Sequence, residues 1–134
     1  MLWWLSPGDP ERRTGGFIYN ARIIDAMRAL GHQVNILRLD ADWPFPEDLS
    51  CREQLAAVPD GETVVADGLM WTGLSESDRR MLTDRCRVWV VVHSPLDMEG
   101  GGEEVAVRER DALRLAHGWW ATSRPTAALM ANRL

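Results

Sequence analysis

The run Arg87-Val88-Trp89-Val90-Val91-Val92 constrains what this chain can fold into more than any other segment. Its residues past Arg87 are β-branched or aromatic at both parities, so both faces of the strand they form need a cover. A central strand of a parallel sheet meets that condition, and parallel neighbours need crossover connections, usually helical. The rest of the chain supplies them. Leu2-Trp3-Trp4-Leu5 is an apolar run closed by the turn cluster Ser6-Pro7-Gly8-Asp9-Pro10. From Phe17 to Leu30 the positions Ala21, Ile23, Ile24, Met27 and Leu30 fall at helical spacing, and Gly31 offers a C′ residue able to take positive φ. Val34, Ile36, Leu37 and Leu39 make a second strand that ends at Asp40. A loop with two prolines over 41–46 leads to a helix over 47–58, closed by Pro59-Asp60-Gly61. Residues 63–66 read as a third strand with Asp67-Gly68 as its turn, and 75–85 as a charged helix. After the 87–92 strand come a glycine-rich loop, a helix over 103–116 with Glu104 and Arg108 at i, i+4 spacing, and a fifth strand, Gly118-Trp119-Trp120-Ala121. Ser123 then caps a last helix.

Strands and helices alternate throughout, and 134 residues suit one domain. The pattern predicts a three-layer, Rossmann-like α/β domain over 1–134 with an open, mostly parallel sheet in the order 3-2-1-4-5. Ligands of such sheets bind beyond the C-terminal strand ends, where strand order reverses. With that order the crevice lies between the loops 6–16 and 93–102.

Composition removes several function classes. The net charge is −5, every basic residue is arginine and no basic run exists, which argues against a nucleic-acid partner. Nothing approaches the roughly 20 apolar residues of a transmembrane segment, and Met1-Leu2-Trp3-Trp4-Leu5 lacks a basic n-region, so a cytoplasmic protein is the default. Cys51, Cys86, His32, His93 and His117 are scattered, so neither a disulfide framework nor a metal site is expected. There is no G-x-G-x-x-G and no P-loop, and no cofactor is expected. The final segment, 124–134, reads as a helix that stops without a capping glycine or polar tail, as in a chain cut within a larger architecture.

Several residues near the expected crevice carry chemistry. Gly15-Gly16 opens the first helix, where backbone without Cβ atoms lets a ligand approach exposed N–H groups that favour phosphate. The bland alternative is a tight strand-to-helix turn. His93 follows the most apolar strand, at the crevice mouth, where its ring can donate a hydrogen bond to a hydroxyl or phosphate. Asp67-Gly68 first signals a turn, Thr122-Ser123-Arg124 first a helix start, and Glu99 is an acidic loop residue within reach of a sugar hydroxyl. Trp3, Trp4, Trp89, Trp119 and Trp120 read as core, whereas Trp43 and Trp71 read as loop residues, either anchors or stacking surfaces.

These residues together resemble a family. Ser6-Pro7-Gly8-Asp9-Pro10 through Thr14-Gly15-Gly16-Phe17-Ile18-Tyr19-Asn20 resembles the opening of GT-B glycosyltransferases of family 4. Ala29-Leu30-Gly31-His32, Asp67-Gly68-Leu69, His93-Ser94-Pro95-Leu96 with Glu99, Arg110-Asp111-Ala112-Leu113 and Ala121-Thr122-Ser123-Arg124 follow in the same order. The resemblance implies the acceptor-side, N-terminal domain of a retaining enzyme that moves a sugar from a nucleotide-sugar donor to a sugar or small-molecule acceptor, without a tightly bound metal. It implies that Gly15 and Gly16 approach the donor diphosphate and that His93 is the catalytic-centre residue, touching sugar hydroxyls. Tyr19, Asp67, Glu99, Ser123 and Arg124 are the further substrate-binding candidates on the matching segments. The family's C-terminal domain, which carries the nucleotide pocket, is not in these 134 residues, so the chain alone is expected to be inactive. Two readings compete: a stand-alone, non-catalytic Rossmann-like binding module, and a flavodoxin-like or receiver-type signalling domain. The receiver form is disfavoured because no acidic pair follows the first strand and the chain has no lysine.

Overall fold

The computed structural model describes residues 1–8, 15–39, 43, 51–99 and 102–134. The loop expectations for 9–14, 40–42 and 44–46, and the first residues of the 47–58 helix, lie outside that set. In chain order the elements are β1 (Leu2–Pro7), α1 (Gly15–Ala29), β2 (Val34–Leu39), α2 (Arg52–Leu55), β3 (Thr63–Asp67), α3 (Gly68–Gly73) and α4 (Glu76–Arg85). They continue with β4 (Arg87–Val92), a 3-10 turn (Leu96–Glu99), α5 (Gly102–Leu115), β5 (Gly118–Ala121) and α6 (Arg124–Arg133). The protein is a Rossmann-like α/β fold with an open sheet whose five strands are all parallel.

The strand order is β2-β1-β3-β4-β5, not 3-2-1-4-5. The reason lies in the strands themselves. Val64, Val65, Ala66 and Asp67 are all buried, which needs a neighbour on each edge and a cover on each face. In β2, by contrast, Asn35 to Leu37 are half-buried and Arg38 is exposed, as suits an edge. Between β2 and β3 the described residues contribute only the four-residue helix α2, with no outer strand. The chain therefore returns to the other side of β1, and Leu2 to Leu5 pair with Thr63 to Ala66.

Two apolar layers flank the sheet. On one face Trp4, Val65 and Val91 pack with Ile24 of α1, flanked by Tyr19, Ile23 and Met27 at helical spacing. On the other, Leu5, Val64, Ala66, Val88 and Val90 pack with Leu55, Met70, Trp71, Leu82, Ala112 and Met130 of α2 to α6. Among the described residues α1 is the helix that packs on the first face, and this explains one departure from expectation. Trp89 shares a row with Trp4 and Val65, but its exposure is 40% against 0% and 4%, because α1 covers the β1–β3 side of that row and not the β4 side. The central-strand pattern of 87–92 therefore overstates burial at its first half.

Local signals that did specify geometry are capping ones. Gly31 has φ 92°, and the bonds from Gly31 N–H to Arg28 O and from His32 N–H to Met27 O form the Schellman ending anticipated there. Ser123 accepts Thr126 N–H as the N-cap of α6. Asp67-Gly68 does more than turn: Asp67 is the N-cap of α3, accepting Leu69 N–H at 3.0 Å. No helix among the described residues is long and apolar enough to cross a membrane.

Candidate functional site

With the observed order, strand order reverses between β1 and β3, so the crevice lies between the ends of β1 and β3 rather than between the β1 and β4 loops. This moves Asp67 to the centre of the site. Strand alternation then selects the side chains that converge there. Val65 and Val91 face α1, so the period of two places Asp67 and, past the strand end, His93 on the same face. Asp67 pairs with Val91, and Val91 with Trp120, in one row across β3, β4 and β5. From above, α1 lowers Tyr19 and Asn20, one turn before Ile23 and Ile24.

The result is a continuous polar cluster at the C-terminal ends of the strands. Asn20 Nδ2 donates to Asp67 Oδ2 at 3.0 Å. His93 Nε2 lies 3.1 Å from Asn20 Oδ1 and 3.2 Å from Asp67 Oδ2. The Tyr19 ring meets the His93 ring edge-on, with centroids 5.5 Å apart and planes at 78°. Tyr19 OH accepts a bond from Trp120 Nε1 at 3.1 Å, tying β5 into the cluster. Asn20 and Asp67 are buried, whereas the His93 side chain keeps 22% of its surface open. Gly68 makes the tight convergence of α3 and β4 possible. A Cβ there would stand 2.9 Å from Val91 O, so only glycine lets α3 begin this close to the strand that ends at His93.

The structure brings together three of the sequence candidates: Tyr19, Asp67 and His93. Gly15 and Gly16 occupy the first turn of α1, one helical turn before Tyr19 and Asn20, while the 9–14 part of that motif lies outside the described residues. Glu99 ends the 3-10 turn, and its side chain is not among the described ones. Ser123 and Arg124 do not join the cluster by any hydrogen bond among the described residues. Ser123 is committed to its cap, and Arg124 is an exposed residue of α6. Trp43 and Trp71 are removed as stacking surfaces. Both are buried, and their indole N–H groups donate to Leu39 O and Ala112 O, each at 2.7 Å. Trp71 lies in α3, not in a loop, because Asp67 starts a helix.

Sequence reasoning missed Asn20 and Trp120. For Asn20 there was a usable signal. It stands four residues before Ile24 on the apolar stripe of α1, and a polar side chain on such a stripe needs a buried partner. Trp120 read as core, and only the structure shows that its N–H reaches Tyr19.

Compared with known proteins, the chain matches no family model, and no curated protein matches it.

Proposed function

We propose that this chain is the acceptor-side domain of a nucleotide-sugar-dependent glycosyltransferase, with His93 as the residue that meets a sugar hydroxyl. The observation that carries the reading is the convergence of Tyr19, Asn20, Asp67 and His93 at the C-terminal strand ends, with a partly open imidazole above a buried carboxylate. These residues belong to three of the segments on which the family resemblance rests, although they are far apart in sequence. Gly15 and Gly16, at the start of α1, lie on the same helix and one turn from the cluster, as an approach to a donor diphosphate requires. On this reading a second α/β domain faces the strand ends and supplies the nucleotide pocket, since positioning donor against acceptor needs both walls of a cleft. The whole enzyme works in the cytoplasm, without a metal ion.

Two measurements test this. Purified 1–134 incubated with a panel of nucleotide-sugars should turn over none of them, and turnover by 1–134 alone would sink the two-walled reading. The native reading frame should continue past Leu134 into a second α/β domain, and a stop there would favour the alternative of a stand-alone binding module. The strand order 2-1-3-4-5 is the observation behind that alternative, because flavodoxin-like modules share it.

A further inference from the structure

The hydrogen bonds of the cluster determine which atom faces which. Asp67 is a carboxylate and only accepts; Oδ1 takes Leu69 N–H, and Oδ2 lies 3.0 Å from the Asn20 amide. The amide must therefore turn its nitrogen to Asp67 and its oxygen to His93. Nε2 of His93 then stands between two acceptors, Asn20 Oδ1 at 3.1 Å and Asp67 Oδ2 at 3.2 Å. A lone pair at Nε2 would be repelled by both, whereas an N–H satisfies both.

We propose that Asn20 and Asp67 are a positioning pair that holds His93 in its Nε2–H tautomer, so that the ring meets its ligand through Nδ1 as a hydrogen-bond acceptor. In a neutral imidazole with Nε2 protonated, Nδ1 carries the lone pair. Among the described residues Nδ1 has no hydrogen-bond partner, and the side chain is 22% exposed. Such a nitrogen accepts from a hydroxyl but cannot donate to a phosphate oxygen, and the Asp67 carboxylate beside it repels an anion further. This revises the donor role expected of the ring. The group that docks at His93 is a neutral hydroxyl, and the ligand half of the inference rests on the glycosyltransferase reading.

The molecule contains its own reference. His117 Nδ1 accepts Val88 N–H at 3.0 Å, so its proton is held on Nε2 by backbone alone. The experiment is two-bond nitrogen–proton correlation NMR on chain labelled with ¹⁵N-histidine, at about pH 8, above the ordinary histidine range. His93 should show the same Nε2–H pattern as His117. Asp67→Asn, which keeps a good N-cap for α3, and Asn20→Ala should each leave His117 unchanged and mix the two tautomers at His93. Inorganic phosphate should leave the Nδ1 shift in place. A shift with methyl α-glucoside assigns the hydroxyl to an acceptor, and a shift with UDP-glucose alone assigns it to the donor sugar. An Nδ1–H pattern in the parent chain, an unaltered tautomer in both variants, or a response to phosphate but to neither sugar overturns the proposal. If the tautomer behaves as expected and neither sugar moves Nδ1, the positioning pair stands and the sugar hydroxyl as the ligand of His93 falls, so the two failures are separable.

Discussion

The two ends of α3 solve the same problem in opposite ways. A six-residue helix leaves its last four carbonyls without intrahelical partners, and here those are Met70, Trp71, Thr72 and Gly73. Leu74 N–H takes Met70 O, Arg79 Nη1 donates to Trp71 O and Thr72 O, and Arg108 donates from Nε to Thr72 O and from Nη2 to Gly73 O. Every orphan is satisfied, and two cations sit where the helix dipole favours them. Arg108 turns to these carbonyls rather than to Glu104, the partner its spacing suggested. At the other end Asp67 caps Leu69 N–H, but its second oxygen is shared between Asn20 and a histidine whose remaining nitrogen has no partner among the described residues. Both clusters are largely buried and polar. The first is closed to a ligand: every carbonyl has a donor, and the atoms left without a partner, Arg79 Nε and Thr72 Oγ1, are buried out of a ligand's reach. At the second the spare nitrogen sits on a ring that is partly open. That difference in access separates a staple from a site.

The closed end is where the largest stability loss is expected. Arg79 is buried, and desolvation first, with the nearby Arg108 charge second, pulls its guanidinium below its ordinary pKa. Arg79→Met keeps most of the stem and removes the donors, stranding Trp71 O and leaving Thr72 O only its bond from Arg108. The expected cost is about 3 kcal/mol, or a fall in Tm of about 10 °C. A variant that melts within about 2 °C of the parent would show that the carbonyls find other partners and would blur the contrast between the two ends.

Arg108→Met should cost less, about 1 to 2 kcal/mol. Its guanidinium is only part-buried, and Thr72 O keeps its bond from Arg79. Thermal unfolding of both single variants and the double variant measures the coupling directly. Because the two arginines share Thr72 O, the double loss should differ from the sum of the singles by more than about 0.5 kcal/mol.

The contrast also explains which parts of the molecule were legible in the sequence. The end of β4 was legible because an apolar run followed by His93-Ser94-Pro95 marks a strand end from local residues alone. The caps at Gly31 and Ser123 were legible for the same reason, since each acts within a few residues of itself. Strand order was not. It depends on which edge of β1 receives β3, and the uninterrupted burial of Val64 to Asp67 against the polar Asn35 and Arg38 of β2 becomes decisive only once the two strands are compared. The closed cluster was illegible because arginines at 79 and 108 reach carbonyls 7 to 36 positions away, and a long side chain leaves no periodic trace of its target. Asp67 was half legible. Asp-Gly marks a turn, and the same aspartate serves as a cap and as the partner of His93 only because α1 and β4 converge on it.

His93→Ala should have the smallest effect on the fold and tests the open end most sharply. The ring contributes an edge-on contact to Tyr19 and one shared N–H to Asn20 and Asp67, at a position that already meets solvent. Once it is removed, Asp67 still accepts from Leu69 and Asn20, so no carboxylate oxygen is left bare, and water can enter the space of a partly exposed side chain. The strand beneath is held independently, with Val91 wholly buried and Thr122 N–H bonded to Val92 O. The expected cost is therefore about 1 kcal/mol or less, well below that of Arg79→Met. If the transferase reading holds, turnover in the full-length protein should nevertheless fall by roughly 10- to 1000-fold, the range for losing a positioned polar or acid–base group. Thermal unfolding and steady-state kinetics on one preparation give both numbers. A large drop in Tm with near-normal turnover would make His93 a second staple, and the two ends of α3 would then differ in geometry but not in purpose.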